Sequence, residues 1–249
     1  MTHEDRFIEL DGVFNFRDLG GLPTRDGGIT RAGMMFRSDA LHHVEAPAVD
    51  WFVSHGMQSI IDLRSSVELE RTGRGRLEHT NIGWLHAPLS HGDAAAGNVL
   101  PQALVDGDLG KHYITSLEER TPILAEVITY LADRDNLPAV FHCTAGKDRT
   151  GMVAALVLSL VGVADDVIVH DYTLTDDRMA LVIERIRASN TLPETTPLPE
   201  RVGRAEAASM ETFLAALRDQ YGGAEGWAHA AGVSDNSLAS LRTALVDAG

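Results

Sequence analysis

The sequence predicts an α/β protein with a mostly parallel central sheet, helices on both faces of that sheet and further helices towards the C-terminal end. Two observations predict this class. Short apolar runs alternate with helical patterns up to about residue 160, and such alternation is typical of parallel sheets that are covered on both faces. Beyond that point only helical periodicity is found.

Four apolar runs are the predicted strands of the sheet. They comprise residues 33–37, 59–63, 82–87 and 139–143. Helical patterns cover residues 46–55, between the first two runs, and residues 65–71, after the second. Ser65 and Glu68 have the spacing of a capping box at the start of the latter helix. Because ligands of such sheets bind beyond the carboxyl ends of the strands, the residues that follow these runs are candidates for one common site.

A long connection and a helical region make up most of the remaining chain. Residues 89–108 are polar, rich in glycine and alanine, and without a clear period, which is typical of a functional loop such as a lid. Thr121 and Pro122 predict the start of a helix, with Thr121 as its N-cap. Three apolar stripes with helical spacing come later: Met179, Val182, Ile183 and Ile186; Met210, Phe213, Leu214 and Leu217; and Leu238, Leu241 and Leu245. Proline-rich residues 190–199 separate the first two stripes and predict a hairpin that either packs against the sheet or covers the site.

The decapeptide of residues 142–151, His-Cys-Thr-Ala-Gly-Lys-Asp-Arg-Thr-Gly, points to a specific chemistry. It follows the last predicted strand and precedes an apolar helical face formed by Val153, Leu156, Val157 and Leu160, so it is predicted to be a strand-to-helix turn. A helix N-terminus provides oriented N–H groups and a partial positive charge, which favour a thiolate or a phosphate beside it. Cys143, the only cysteine, is therefore the predicted nucleophile.

The other residues of this turn are predicted to bind phosphate. Gly146 allows the backbone to curl so that successive N–H groups point inward as an anion-binding nest. The predicted phosphate-binding residues are Thr144, Ala145, Gly146, Lys147, Asp148 and Arg149. Arg149 adds a permanently charged clamp with two donors. Cys143 is expected to attack a phosphomonoester and form a cysteinyl-phosphate, which water then hydrolyses.

Two simpler roles for the turn fit its residues less well. A lone cysteine is commonly a small buried hydrophobe, but Gly, Lys, Arg and Thr are not core residues. A nucleotide-binding loop fails on spacing, because Lys147 is followed by Asp148 instead of Ser or Thr.

Composition limits the partners and the location. One cysteine excludes an intrachain disulfide, and no apolar stretch approaches the roughly 18 residues of a membrane span. The N-terminal residues lack the pattern of a secretory signal, so we expect a cytoplasmic protein or one secreted without a cleaved signal. A net charge of −15 disfavours nucleic acid and anionic membranes as partners. The sequence does not predict the oligomeric state.

The eleven histidines raise the question of a metal. His42 and His43 are adjacent, and His86 and His91 fall in one segment. None of these pairs has further ligands at the fixed spacing of a metal site, so no metal and no cofactor are expected.

The decapeptide resembles the signature of cysteine-dependent protein tyrosine phosphatases, in which the matching residues are His142, Cys143, Arg149 and Thr150. The Gly-Lys-Asp-Arg segment is similar to that of a bacterial family of tyrosine and dual-specificity phosphatases, which includes a secreted mycobacterial enzyme and listerial lipid phosphatases. Further segments resemble motifs of that family: residues 15–21, 36–39, 62–66, 221–223 and 231–233. The resemblance implies a single phosphatase domain over residues 1–249, with a phosphatase-like sheet and a helical lid over about residues 171–210.

The resemblance also suggests roles for individual residues. Lys147 would contact acidic or phosphorylated parts of substrates, including phosphoinositides. Asp148 is the expected general acid, and Asp93 in the long loop is the competing donor, since the chain has no Trp-Pro-Asp loop. Thr150 is expected to bond the sulfur, and His142 to donate to the loop and set its geometry.

Two arginines at strand ends are possible substrate contacts. Arg37 and Arg64 lie at the ends of the first two predicted strands. Each either contacts the phosphate of a substrate or pairs with another group of the protein. A lone basic side chain at such an edge does not distinguish between these roles.

The leading functional prediction is a protein tyrosine and dual-specificity phosphatase whose substrates are phosphorylated proteins. A phosphoinositide phosphatase is the second possibility. A binding module for phosphorylated ligands that has lost catalysis is a third, against which the intact Cys143, Arg149 and Thr150 argue. A sulfurtransferase fits poorly, because it would not need an arginine six residues after the cysteine.

Overall fold

The computed structural model describes residues 6–90, 109–188 and 203–247. Its centre is a five-stranded sheet whose strands are β1 (Arg17–Asp18), β3 (Met35–Ser38), β4 (Ser59–Asp62), β5 (Gly83–His86) and β6 (Ala139–His142). The spatial order is β1-β3-β6-β4-β5, and all neighbours are parallel except β1 and β3. The predicted α/β class with a mostly parallel sheet is therefore confirmed.

The four predicted strands are present, with ends within two residues of those expected. Sequence reasoning missed β1, and it missed β2 (Ile29–Thr30) and β7 (Val246–Asp247), which pair with each other in a separate ribbon. Each of these strands has two residues, which is too short to produce a periodic signal.

Helices account for most of the remaining described chain. They are α1 (Ala46–Ser54), α2 (Ser66–Thr72), α3 (Leu109–Glu119), α4 (Thr121–Ala132), α5 (Asp148–Leu160), α6 (Asp165–Thr173), α7 (Asp176–Ala188), α8 (Ala207–Tyr221), α9 (Ala224–Ala230) and α10 (Asp235–Leu245). The predicted capping box is present: Ser65 accepts from the Glu68 N–H, and the Glu68 side chain accepts from the Ser65 N–H. The prediction that Thr121 caps α4 is wrong. Arg120 occupies the N-cap position, because α3 ends only two residues before α4 begins, and the Thr121 hydroxyl donates to the Leu117 carbonyl instead.

Alternation along the strands divides the core between the two faces of the sheet. Val140 of β6 and Ile60 of β4 belong to one apolar cluster, which α1 covers through Phe52. Their strand neighbours Phe141 and Ile61 belong to a second, larger cluster, which includes buried residues of α3, α4, α5, α8 and α10. Helices therefore pack on both faces, as expected for a parallel sheet.

The predicted lid extends from α6 to the beginning of α8, and residues 189–202 within it lie outside the described residues. The apolar stripe of α8 is in the core: Met210 and Phe213 are fully buried, and α8 packs against α3 and α6. Met179 and Val182 of α7 are also buried. The covering role of the lid and the single-domain organisation stay predictions.

Strand register brings the strand ends to one row at the edge of the sheet. Ser38 of β3 and Asp62 of β4 both pair with His142 of β6, and Asp62 also pairs with His86 of β5. Cys143 follows His142 directly, so the cysteine lies at the carboxyl edge of the sheet between two other strand ends. This is the position at which ligands bind in open α/β sheets.

Candidate active site

The loop between β6 and α5 carries the thiol. Cys143 is 2% exposed, and α5 begins five residues later at Asp148 without a side-chain cap. Within the described residues, no acceptor is bonded to the backbone N–H groups of residues 144 to 147. The first N–H groups of any helix also lack partners within the helix. The loop therefore presents a series of N–H groups that can donate hydrogen bonds to a bound anion.

Gly146 is the residue that permits this curl. Its φ is +68°, and a Cβ at this position would lie 2.6 Å from the carbonyl oxygen of Ser38 and 2.7 Å from the amide nitrogen of Asp39. Both neighbours are backbone atoms at the end of β3, which cannot move away as a flexible side chain can. Glycine is required here both for its dihedral angle and for the close approach of the loop to β3.

A Gly146→Ala substitution is expected to destabilise the protein by about 2–4 kcal/mol, because the left-handed conformation and the backbone clash add. Gly56→Ala is the matched control, since Gly56 has a φ of +67° but a Cβ there would meet nothing within 4 Å. The control should cost only about 1 kcal/mol. Urea unfolding of both variants measures the difference, and equal losses would show that the contact with β3 is unimportant.

Arg149 is held by a carboxylate from a distant helix. Its Nη1 donates to Glu68 Oε2 at 2.6 Å, and its Nη2 donates to Glu68 Oε1 at 3.0 Å. The Thr144 hydroxyl donates to the same Oε1. Burial alone would raise the pKa of Glu68, but the charge of Arg149 and these hydrogen bonds outweigh it and hold that pKa well below its usual range. This two-point contact orients the guanidinium plane beside the loop.

Glu68 is a site residue whose role sequence reasoning missed. The sequence identified it only through the capping box, where its carboxylate accepts from the Ser65 N–H at 2.8 Å. Its bonds to Arg149 and Thr144 connect residues that are 81 and 76 positions apart. No local pattern contains that information.

Asp148 is part of a hydrogen-bonded cluster with a lysine and two tyrosines. The Tyr113 hydroxyl donates to Asp148 Oδ1 at 2.6 Å, and Lys147 Nζ donates to the same oxygen at 2.9 Å. Tyr113 and Tyr172 are joined through their hydroxyl groups at 2.7 Å. The Asp148 side chain is 26% exposed, whereas that of Lys147 is 1% exposed. The Lys147 ammonium is therefore buried and bonded to Asp148, and its contact with a substrate stays a prediction.

His142 and Thr150 are both fully buried beside the cysteine. His142 Nδ1 lies 3.3 Å from the Cys143 carbonyl oxygen, and burial is the main cause that lowers the pKa of this histidine. A neutral ring that donates from Nδ1 to this carbonyl fits the distance. For the Thr150 hydroxyl, no partner is found in the part of the chain that the structure describes, so the expected bond to the sulfur is not made in this arrangement.

Arg37 and Arg64 have protein partners instead of an open surface. Each is 1% exposed. Arg37 donates to Asp171 Oδ2 at 2.7 Å and to the Gly146 carbonyl at 2.8 Å. Arg64 makes a two-point contact with Asp62, at 2.6 Å from Nη2 and 2.9 Å from Nε. Carboxylates of α6 and of the end of β4, together with backbone carbonyls, bind these guanidinium groups, and the substrate contacts suggested for both stay predictions.

Several other predictions concern residues that the structure describes only in part. Asp93 and His91 lie outside the described residues. The ring centroids of His42 and His43 lie 3.9 Å apart, with the two rings tilted by 38°. Among the residues described, no group of three or more side chains that could hold a metal ion is found. None of the described helices combines the length and apolarity needed to cross a membrane.

A thiol in an anion-binding strand-to-helix loop, with an arginine six residues on, defines the class of cysteine-dependent phosphatases. The particular family follows from comparison of the sequence. The chain belongs to the tyrosine phosphatase family, whose model matches residues 8–247.

Three curated relatives support this membership. The triple specificity protein phosphatase PtpB of Mycobacterium tuberculosis is 29% identical over 96% of this chain and 98% of its own length. A tyrosine-protein phosphatase of Nostoc commune is 37% identical over 57% of this chain, and the match spans half of that relative's length. A putative tyrosine-protein phosphatase of Cupriavidus necator is 30% identical over 70% of this chain and 64% of the relative.

Proposed function

We propose that this protein is a protein tyrosine and dual-specificity phosphatase that acts through a cysteinyl-phosphate on Cys143. The observation that carries the proposal is the loop itself, in which a buried thiol lies at the base of a series of backbone donors with no bonded acceptor among the described residues. Family membership and the names of the three relatives support the same reaction.

The proposed reaction has two steps. The Cys143 thiolate attacks phosphorus, a sulfur–phosphorus bond forms, and the bond to the alcohol or phenol oxygen breaks. The leaving oxygen takes a proton from Asp148. Water then attacks phosphorus and gives a proton back to Asp148, while the sulfur leaves as thiolate and inorganic phosphate is released. The loop N–H groups and Arg149 stabilise the charge on the equatorial oxygens in both steps.

Asp148 needs a proton to serve as the acid, and the resting loop disfavours that proton. Burial alone would raise the pKa of Asp148, but Lys147 and the Tyr113 hydroxyl outweigh it and hold the pKa below its usual range. A bound phosphate dianion supplies the opposing charge, which favours the protonated form. Lys147 and Tyr113 both bond Oδ1, so we assign the proton that goes to the leaving group to Oδ2, which has no bonded partner among the described residues.

Replacement of Asp148 by asparagine is expected to lower kcat for an alkyl phosphate by about 10²-fold, because its poor leaving group needs the proton. An aryl phosphate with a good leaving group should lose much less. The alkaline limb of the kcat profile for the alkyl substrate should also disappear, since protonated Asp148 is lost as pH rises. Steady-state kinetics on both substrates over a range of pH measure these effects.

Asp93→Asn is the matched control for this experiment, because it makes the same chemical change at the competing donor. We expect Asp93→Asn to change kcat for the alkyl phosphate and for the aryl phosphate by the same factor. If Asp93→Asn instead selectively slows the alkyl phosphate while Asp148→Asn does not, the acid is Asp93.

The substrate class is best tested by direct comparison. The resemblance of the Gly-Lys-Asp-Arg segment to a family that includes lipid phosphatases makes a phosphoinositide the second candidate substrate. The experiment compares kcat/KM for a phosphotyrosine peptide, a phosphoserine peptide and a soluble phosphoinositide. A preference for the lipid headgroup would favour the phosphoinositide alternative, and binding without turnover of all three would favour a binding module.

We further propose a cytoplasmic location, or export without a cleaved signal, with phosphorylated proteins as partners. The net charge of −15 supports the choice of partners, because it opposes non-specific binding to nucleic acid and to anionic membranes. Detection of the protein in separated cytoplasmic, membrane and culture-medium fractions tests the location.

A further inference from the structure

Three consecutive carbonyl groups of the phosphate loop point away from the anion site and accept hydrogen bonds from outside the loop. The Thr144 carbonyl accepts from the Ala40 N–H at 3.2 Å. The Ala145 and Gly146 carbonyls both accept from the side-chain amide of Asn15, each at 3.2 Å. In a curled loop, a carbonyl directed outward leaves the N–H of the next residue directed inward. The outside donors therefore hold the loop in its anion-binding form.

Asn15 is the residue that bridges two of these carbonyls. It lies 130 positions before Ala145, is fully buried, and is fixed by its own backbone N–H, which donates to Asp39 Oδ1 at 3.0 Å. A fully buried amide cannot exchange these bonds for bonds to water. The two hydrogen bonds from its amide to the loop therefore form only while Asn15 keeps this position.

Arg17 determines which way the Asn15 amide faces. Its Nη1 donates to Asn15 Oδ1, so the oxygen points to Arg17 and the NH₂ group must point to the loop. Arg17 is held in turn by Asp171, through Nε to Oδ1 at 3.2 Å and Nη2 to the carbonyl at 2.9 Å, and by the Thr175 hydroxyl at 3.1 Å. A chain of bonds thus connects α6 to the loop carbonyls through Arg17 and Asn15.

We infer that Asn15, oriented by Arg17, is a positioning residue that sets the affinity of the loop for the phosphoryl group. This inference rests on the proposed function only in assigning the bound anion to a substrate. It gives the Asn-x-Arg part of residues 15–21 a physical role: to keep the loop donors directed at the anion before it binds. Pre-organised donors stabilise developing charge without reorganisation, so the loss should affect the bound oxyanion and the rate together.

The test replaces Asn15 by aspartate, which keeps the size and the acceptor for Arg17 but removes both N–H donors of Asn15 to the loop. The bond from Arg37 to the Gly146 carbonyl remains, so the variant isolates the contribution of Asn15. We expect the dissociation constant for tungstate, a non-hydrolysable oxyanion probe, to increase on the order of tenfold, because the variant loses two hydrogen bonds to the loop, one of them buried. The kcat/KM for an aryl phosphate should fall by at least a similar factor. Titration calorimetry and steady-state kinetics provide the two measurements.

Asn136→Asp is the matched control. Asn136 also donates its side-chain amide to a backbone carbonyl, that of Tyr130 at 2.9 Å, but it lies at the opposite end of β6 from the loop. The Asn136→Asp variant should be less stable than the wild type but should bind tungstate with the same affinity. A variant at Asn15 with wild-type tungstate affinity would overturn the proposal.

A second variant, Arg17→Lys, tests the same inference if Asn15→Asp folds poorly. Arg17→Lys leaves Asn15 in place but removes the fork that bonds Asn15, Asp171 and Thr175 together. For each variant, the rise in melting temperature on adding tungstate reports affinity independently of the starting stability. If both variants melt lower but gain as much from tungstate as the wild type, the pair is merely structural and the proposal is wrong.

Failure of this inference and failure of the proposed function are distinguishable. Tungstate binding needs no hydrolysis. A wild-type protein that binds tungstate but hydrolyses no phosphomonoester would contradict the phosphatase function and leave the role of Asn15 intact. If the wild-type enzyme is active and its Asn15→Asp variant binds tungstate with normal affinity, the role of Asn15 is contradicted and the phosphatase function is left intact.

Discussion

Replacing Cys143 by serine is expected to lower kcat for an aryl phosphate by roughly 10⁵-fold or more, which is the scale of losing a covalent nucleophile. The reason is that the loop stabilises an anion beside the N-terminus of α5, and a thiol forms that anion far more readily than a hydroxyl does. The substitution changes one atom in a buried position that is 2% exposed, so the fold should be retained. Steady-state hydrolysis measures the loss.

The same Cys143→Ser variant contains its own control for loop integrity. The backbone donors of residues 144 to 147 do not depend on the sulfur, so tungstate should still bind. Acid quenching during turnover of the wild type should trap phosphate on Cys143, and the variant should trap none. Hydrolysis at a wild-type rate by the serine variant would show that the cysteinyl-phosphate is not on the pathway.

Replacing Arg149 by lysine has the second largest expected effect, a fall in kcat/KM on the order of 10³-fold. The planar guanidinium bonds both oxygens of Glu68 through Nη1 and Nη2. Its contacts with the Ser90 and Thr144 hydroxyls, at 3.3 and 3.4 Å, are long, so phosphate oxygens can replace them. A lysine ammonium is a single point with three donors, so it cannot keep the two-point contact and reach the phosphoryl group in the same geometry. The charge is preserved, and the geometry is what changes.

Arg76→Lys provides the matched control for that experiment. Arg76 makes an exposed ion pair with Glu45 at 3.2 Å, and such surface pairs contribute little. Its kcat/KM should equal that of the wild type. An Arg149→Lys enzyme within tenfold of wild type would show that positive charge alone, without the fork, is sufficient.

Much of the fold could be predicted because its signals are local. The strand that precedes the cysteine, β6, is a short apolar run, and α5 has an apolar face with helical spacing, so both follow from neighbouring residues. The capping box of α2 was equally local and is present. The start of α4 was predicted within one residue, but its N-cap is Arg120 and not Thr121, whose hydroxyl donates to the last turn of α3.

The supporting contacts of the site could not be predicted because their partners are remote in sequence. Arg149 meets Glu68 across 81 positions, and Asn15 meets Ala145 across 130. The Tyr113 hydroxyl reaches Asp148 from α3, a helix that sequence reasoning did not identify. Many donors and acceptors in the sequence are compatible with one another. The packing of the helices on the sheet decides which of them meet, and apolar periodicity does not specify that packing.

The sequence by itself determined the class of fold and the strand-to-helix turn that carries the only cysteine, the proposed nucleophile, since these depend on residues adjacent in the chain. Only the tertiary structure decided what the charged groups do. Arg37, Arg64 and Lys147 are candidate phosphate contacts in the sequence, yet each is 1% exposed and paired with a carboxylate. Arg149 is also paired with a carboxylate, but its side chain stays 18% exposed beside the loop. The physical reason is that a buried charge must be paired, and the available partner is set by packing between distant segments.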